Sequence, residues 1–169
     1  HVENDVNAAL LGEMWRGAGR GRDNVFCITL GTGIGGAYFN GQLKSGAHRR
    51  ANSVGYLLKD RRTGLNYEQR ASTAALKNRM HKIHGTAMTT ETLFEKAKNG
   101  DEASLSTIED WARDVAEGLA QVIILLDPGY IIIGGGISQQ GTFLLNLIEK
   151  HIESFLPPDF LRTELTIAE

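Results

Sequence analysis

One cysteine and three prolines stand among 169 residues. A single thiol, Cys27, excludes an internal disulfide and any multi-cysteine zinc site, and a reducing cytoplasm is the compartment expected for it. Long apolar runs are missing too. The longest, Val122 to Leu126, falls far short of the roughly 18–20 residues a membrane span needs, so no membrane partner is expected. The opening His1-Val2-Glu3-Asn4-Asp5 has neither a basic region nor an apolar core, and no secretory signal is read there. Charge is nearly balanced, with 18 Lys and Arg against 20 Asp and Glu for a net −2. That leaves little electrostatic pull towards nucleic acid or anionic lipid. No internal repeat or low-complexity segment occurs.

Glycine is plentiful, at 20 residues, and much of it falls in two clusters, Gly31–Gly36 and Gly134–Gly136. Glycines at strand ends let backbone approach a ligand closely. Around them the hydrophobic pattern predicts a helix from about Val6 to Trp15, with Ala8, Leu11 and Trp15 at helical spacing behind an Asn4 or Asp5 cap. Val25–Leu30 reads as a buried strand. Ala37-Tyr38-Phe39 and Gln42-Leu43-Lys44 read as two more, joined by Asn40-Gly41. Gly46 to Gly64 has no period. Helices are expected over Glu68–His84, Thr89–Ala97, Glu102–Leu126 and Thr142–Phe155, and strands over Tyr130–Ile133 and Leu165–Ile167. The order predicts an α/β domain with a mixed sheet and flanking helices. Trp15 and Trp111 are expected in the core.

Each candidate site has an ordinary structural reading beside the functional one. Gly31-Thr32-Gly33-Ile34-Gly35-Gly36, between two strands, is either a phosphate cradle of N–H groups and the Thr32 hydroxyl or a ligand-free glycine hairpin. It lacks the lysine of a P-loop. Gly134-Gly135-Gly136 follows a strand at the sheet edge where α/β proteins bind ligands, but also suits a tight packing turn. Asp5, at a strand-to-helix junction, is a helix cap or a general base. Glu68 opens a helix, where a carboxylate interacts well with the dipole. Arg49-Arg50 and Arg61-Arg62 read as solvated loop charges. The five histidines show no metal spacing, and no metal ligands are assigned.

Taken together, Glu3-Asn4-Asp5-Val6-Asn7-Ala8-Ala9, Leu30–Gly36, Asn40–Ala47, Ala97–Asp101 and Leu126–Ile137 resemble the ROK family of sugar kinases and repressors, in order and spacing, over nearly the whole chain. The resemblance implies a ribonuclease H-like, actin-like ATPase fold of two lobes with ATP between them. Residues 1–169 match the C-terminal lobe, so the chain is expected to be cut at both ends and to work with an N-terminal lobe, a sugar substrate and further copies of itself. By the same resemblance Asp5 is the catalytic base, Asn4 and Glu68 hold sugar hydroxyls, Gly31, Thr32 and Gly33 lie against the ATP phosphates, and Gly134, Gly135 and Gly136 lie near the adenosine. Mg2+ would be carried by the phosphates.

The sequence departs from that pattern at two sugar positions. Where the family has Ala-Gly-Glu-x-Gly-His, this chain has Ala51-Asn52-Ser53-Val54-Gly55-Tyr56. Ser53 thus replaces a sugar-binding glutamate, and Tyr56 a histidine that touches sugar and often zinc. The family's cysteine-rich zinc loop falls near Asp60–Asn66, which has no cysteine, so no zinc is expected. The implied function is ATP-dependent phosphorylation of a hexose or hexoside hydroxyl. A sugar-sensing repressor domain and an inactive binding module are the alternatives, and Asp5 with the glycine loop favours the kinase, because a sensor needs neither.

Overall fold

A computed structural model describes residues 5–169. Its centre is the apolar run Val25–Leu30, strand β1, buried along almost all its length. Strand β2 (Ile34–Phe39) pairs antiparallel with β1. Strand β3 (Tyr130–Gly134) lies parallel to β1 on its other side, and β4 (Glu164–Ile167) lies parallel to β3. The sheet order is β2-β1-β3-β4, so the mixed sheet with flanking helices stands as expected. The helices are α1 (Asp5–Arg16), α2 (Tyr67–Ala71), α3 (Thr73–His84), α4 (Thr90–Lys98), α5 (Glu102–Leu126) and α6 (Thr142–Ile152).

Central strands buried on both faces need apolar residues of both parities. Val25 and Cys27 of β1, with Ile132 of β3 and Ala37 of β2, face Val6 and Leu10 of α1. Phe26, Ile28 and Leu30, with Ile131 and Ile133, join the larger cluster that includes Trp111, Val115 and Leu119 of α5 and Leu144 and Ile148 of α6. Parallel β1 and β3 therefore deliver both glycine clusters to one sheet edge.

Four local expectations are corrected. Helix α1 buries Val6, Leu10 and Glu13, so the stripe read at Ala8, Leu11 and Trp15 faces solvent, and Trp15 is 72% exposed. The choice fails because the buried stripe contains a glutamate: Glu13 accepts hydrogen bonds from the N–H groups of Ala18 at 2.8 Å and Glu169 at 3.2 Å, partners outside the helix. Ile34-Gly35-Gly36 is strand, which shortens the first glycine loop to Gly31-Thr32-Gly33. The third strand at Gln42–Lys44 reduces to one bridge, Phe39 with Leu43. The helix expected over 68–84 breaks at Ser72, which ends α2 and caps α3 by accepting from the Ala75 N–H. A serine hydroxyl offers such an alternative to helix continuation. Buried Trp111 satisfies the break by donating its indole N–H to the carbonyls of Ala71 and Ser72.

Candidate functional site

The three-residue loop between β1 and β2 is held from three directions. Its own N–H at Gly31 donates to the Gly33 carbonyl at 3.0 Å, and the Gly31 carbonyl accepts from the Thr73 N–H at 2.9 Å, at the start of α3. The Ile34 N–H donates to Oε2 of Glu68, on α2, at 2.8 Å. A Cβ at Gly33 would stand 2.6 Å from that carboxylate oxygen, and one at Gly55 would stand 3.3 Å from it. Glycine at both positions lets Glu68 sit against the loop. Gly31 thus spends its donor inside the loop. The N–H groups of Thr32 and Gly33 and the exposed Thr32 hydroxyl are the donors left without a protein acceptor among the described residues.

The second glycine turn meets the first. Gly135 has φ +99°, and a Cβ there would collide with the Leu30 carbonyl at the end of β1. Gly135 lines the cleft at this edge, while Gly134 is buried as the last residue of β3 and Gly136 opens a short 3₁₀ turn through Gln140. Asp5, the first residue of α1, reaches the same place, and its Oδ1 accepts from the Val6 N–H at 2.9 Å. Capping and facing the cleft are therefore compatible for this carboxylate. The cleft holds about 460 Å³ and is lined by Asp5, Thr29, Gly31, Thr32, Gly33, Glu68 and Gly135, among others.

A second cleft of about 410 Å³ adjoins it, lined by Ser45, Arg49, Asn52, Ser53, Tyr56 and Glu68 among others. Val6, Ile34, Gly35 and Glu68 border both spaces. Ser53 donates its hydroxyl to the Arg50 carbonyl at 2.9 Å, and Tyr56 is 79% exposed. Of the residues singled out by sequence, Asp5, Gly31, Thr32, Gly33, Gly135 and Glu68 share the first cleft, and Ser53, Tyr56 and Glu68 the second. Asn4 lies outside the described residues. Arg49 is an exposed loop charge, as read, and it also lines the second cleft. Its signal in the sequence was the absence of any acid around it.

The loop from Asp60 to Asn66, which has no cysteine, is closed by a carboxylate. Asp60 Oδ1 accepts from the Arg62 N–H, the Thr63 N–H and the Thr63 hydroxyl at 3.0, 2.6 and 2.7 Å. These bonds hold the exposed Asp60 carboxyl below its ordinary value, the Thr63 backbone bond most of all. Among the described residues no group of three or more His, Cys, Asp or Glu could hold a metal ion, and no helix is long and apolar enough to cross a membrane.

Known proteins share this architecture. A beta-glucoside kinase of Listeria monocytogenes is 36% identical over 163 residues, covering 91% of this chain and 55% of the relative. The crystal structure of a ROK family glucokinase from Streptomyces griseus, in complex with glucose and AMPPNP, matches with TM-score 0.85 at 31% identity, covering 99% of this chain and 62% of that one. A ROK family transcriptional regulator, a homologue of the E. coli MLC protein, matches with TM-score 0.85 at 25% identity, covering 99% of this chain and 47% of that one. The chain thus spans about half the length of the curated relatives it matches. Its mixed sheet and flanking helices are those of the actin-like ATPase fold found in these kinases. The ROK family model matches residues 1–168, and the chain belongs to the ROK family.

Proposed function

We propose that this chain is the C-terminal lobe of an ATP-dependent sugar kinase that phosphorylates a hydroxyl of a hexose or hexoside in the cytoplasm. The supporting observation is convergence. A carboxylate at a helix start, a glycine loop with unspent donors and a second glycine turn border one cleft. A polar second cleft adjoins it, with Glu68 in the wall of both. The named activities of the beta-glucoside kinase and the glucokinase support the same reading.

In the proposed reaction the sugar lies across the shared wall, with Asn4 and Glu68 on its hydroxyls and Ser53 and Tyr56 beyond them. The exposed Tyr56 ring offers an apolar face to a pyranose or to a substituent on it. Asp5 takes the proton of the acceptor hydroxyl as its oxygen bonds to the γ-phosphorus and the bond to ADP breaks. Thr32 and Gly33 donate to the phosphates, and the turn at Gly134–Gly136 borders the adenosine. Mg2+ supplies charge neutralisation to the transferring group. The described residues form no carboxylate cage for it, so it belongs with the nucleotide phosphates in this reading. Zinc has no part in this reading: the 60–66 loop has no thiolate to offer it, and Asp60 closes that loop instead. Exposed apolar pairs, Leu11 with Trp15 and Ile124 with Leu125, support assembly into a homo-oligomer.

The test is Asp5→Asn in the full-length protein. Asparagine caps a helix nearly as well as aspartate but cannot take the proton. Activity should fall by roughly 10²–10⁴-fold with the fold retained. A variant within threefold of wild type would return Asp5 to capping alone. The repressor alternative shares the fold, as the regulator shows. The residues encoded ahead of His1 discriminate: an Asp-x-Gly-Gly-Thr loop supports the kinase, a helix-turn-helix the repressor.

A further inference from the structure

Among the described residues the second cleft has one basic lining residue, Arg49, set in a stretch of chain without acids. From Asn24 to Lys59 the sequence contains no aspartate or glutamate, yet it carries Lys44, Arg49, Arg50 and Lys59, in a chain whose net charge is −2. The loop bearing the two arginines is closed at its base. Asn52 Nδ2 donates to the Lys44 carbonyl at 2.8 Å, the Ala51 N–H donates to the Ser45 carbonyl at 3.2 Å, and the Arg49 N–H donates to the Gly46 carbonyl at 3.3 Å. Arg49 sits at the tip with φ +55° and lines the cleft. Among the described residues neither Arg49 nor Arg50 forms an ion pair.

One carboxylate stands against Arg49 in this cleft, and it is turned towards the glycine loop. Among the described residues Glu68 is that carboxylate, and its Oε2 already accepts from the Ile34 N–H. Ser53 stands where the family pattern has a glutamate. A carboxylate at that position would repel an anion, and the serine removes the repulsion while Arg49 adds attraction. Specificity for a charged ligand needs both changes. The guanidinium fork matches carboxylate and phosphate oxygens alike. Arg49 does not border the Asp5 cleft, and Asp5 does not border this one. The anion therefore sits away from the reacting hydroxyl.

We infer that the acceptor is an anionic sugar: a hexose unit bearing a carboxylate or phosphate group that Arg49 grips while Asp5 serves a distant hydroxyl. This rests on the kinase reading and adds the charge of its substrate. The chemistry is unchanged, since the acceptor oxygen bonds to the γ-phosphorus, ADP departs and the proton goes to Asp5.

The experiment compares kcat/KM of the full-length protein for glucose, phenyl β-glucoside, its 4-carboxyphenyl counterpart and glucose 1-phosphate. At least one anionic acceptor should exceed phenyl β-glucoside by about tenfold or more, the scale of a charge-assisted hydrogen bond. The better of the two tells carboxylate from phosphate. The preference should shrink as salt rises from 50 to 500 mM. Arg49→Gln should bring the anionic-to-neutral ratio near one, and Arg49→Glu should invert it. Equal use of neutral and anionic acceptors by wild type, or a preference unmoved by both substitutions, overturns the inference and leaves the kinase standing. If none of the four acceptors nor any other hexose draws ADP from ATP, the kinase reading falls and takes this one with it.

Discussion

Glu68 joins the two clefts through one side chain. Its Oε2 holds the glycine loop by the Ile34 N–H, while the carboxylate also borders the second cleft, the sugar side in the proposed reading. Substitutions should separate the two tasks. Glutamine keeps an acceptor for Ile34 but loses the charge, so Glu68→Gln should raise KM for sugar and leave KM for ATP within about twofold. Alanine leaves that N–H unpaired, at a cost of about 1 kcal/mol for a half-buried donor, and should raise KM for ATP about fivefold as well. Equal effects of the two variants on ATP would show that the bond does not position the loop. Other residues act on stability alone. Burial, and Glu13 beside it, push the Cys27 thiol up to about 12, so it is inert at neutral pH. His151 on α6 is 6% exposed, and its Nε2 has no hydrogen-bond partner among the described residues. Burial first, then Arg113 and Lys150, hold it below the ordinary imidazole value, against a smaller opposing pull from Glu109 and Asp110. The folded state thus keeps it neutral where the unfolded chain, titrating near 6.5, takes a proton. Its stabilising contribution is present above about pH 6.5 and is lost as pH falls below that. Denaturant midpoints at pH 7.5 and 5.5 should differ more for wild type than for His151→Leu, and equal differences would discount His151.

At the scale of elements, α2 and α5 meet where a side chain has been removed. Gly118 lies in the middle of 25-residue α5, where glycine costs about 1 kcal/mol relative to alanine. The Tyr67 ring fills the space its Cβ would take, and the Tyr67 hydroxyl donates to the Val115 carbonyl at 2.8 Å. Gly118→Ala therefore gains propensity but overpacks, at about 1–3 kcal/mol. A lower denaturation midpoint is expected, and a raised one would show that α2 shifts freely. Such packing explains what was legible in the sequence. β1 and α5 were read with their observed bounds, because a six-residue run with Thr29 as its one polar member and a stripe from Ile108 to Ile123 outweigh any local competitor. The face of α1 was misread, because choosing Val6, Leu10 and Glu13 over Ala8, Leu11 and Trp15 requires knowing that Glu13 bonds to Ala18 and Glu169. The break at Ser72 likewise depends on Trp111, which is remote in sequence. At the site, the glycine clusters and Asp5 were found from local pattern. That Gly31 spends its N–H within the loop, and that Arg49 lines a cleft, follow from chain closure that spacing alone does not encode.

For the whole molecule, the charges around the Asp5 cleft decide what this chain can do unaided. Among the described residues Asp5 and Glu68 are its charged lining residues, both carboxylates, and neither lysine nor arginine borders it. The donors it offers a triphosphate are the uncharged N–H groups of Thr32 and Gly33 and the Thr32 hydroxyl. Phosphoryl transfer depends almost entirely on positioning and on neutralising charge over the transferred group. In the proposed reading, a cleft that meets an anionic nucleotide with two carboxylates would supply the base and the sugar contacts but little of that neutralisation, and the remainder would come from Mg2+ and from the proposed N-terminal lobe. The basic loop at Arg49 does not substitute, because it borders the other cleft. The 169-residue chain, purified alone and supplied with Mg2+, ATP and sugar, should therefore form ADP at well under about 1 s⁻¹, against roughly 1–100 s⁻¹ expected of a complete kinase. Adding the separately expressed remainder of the protein should restore turnover by a hundredfold or more if the halves reassemble, and full-length protein provides the reference rate. Sugar-dependent ADP formation by the chain alone at about 1 s⁻¹ or faster would show that the clamp is contained in this fold after all.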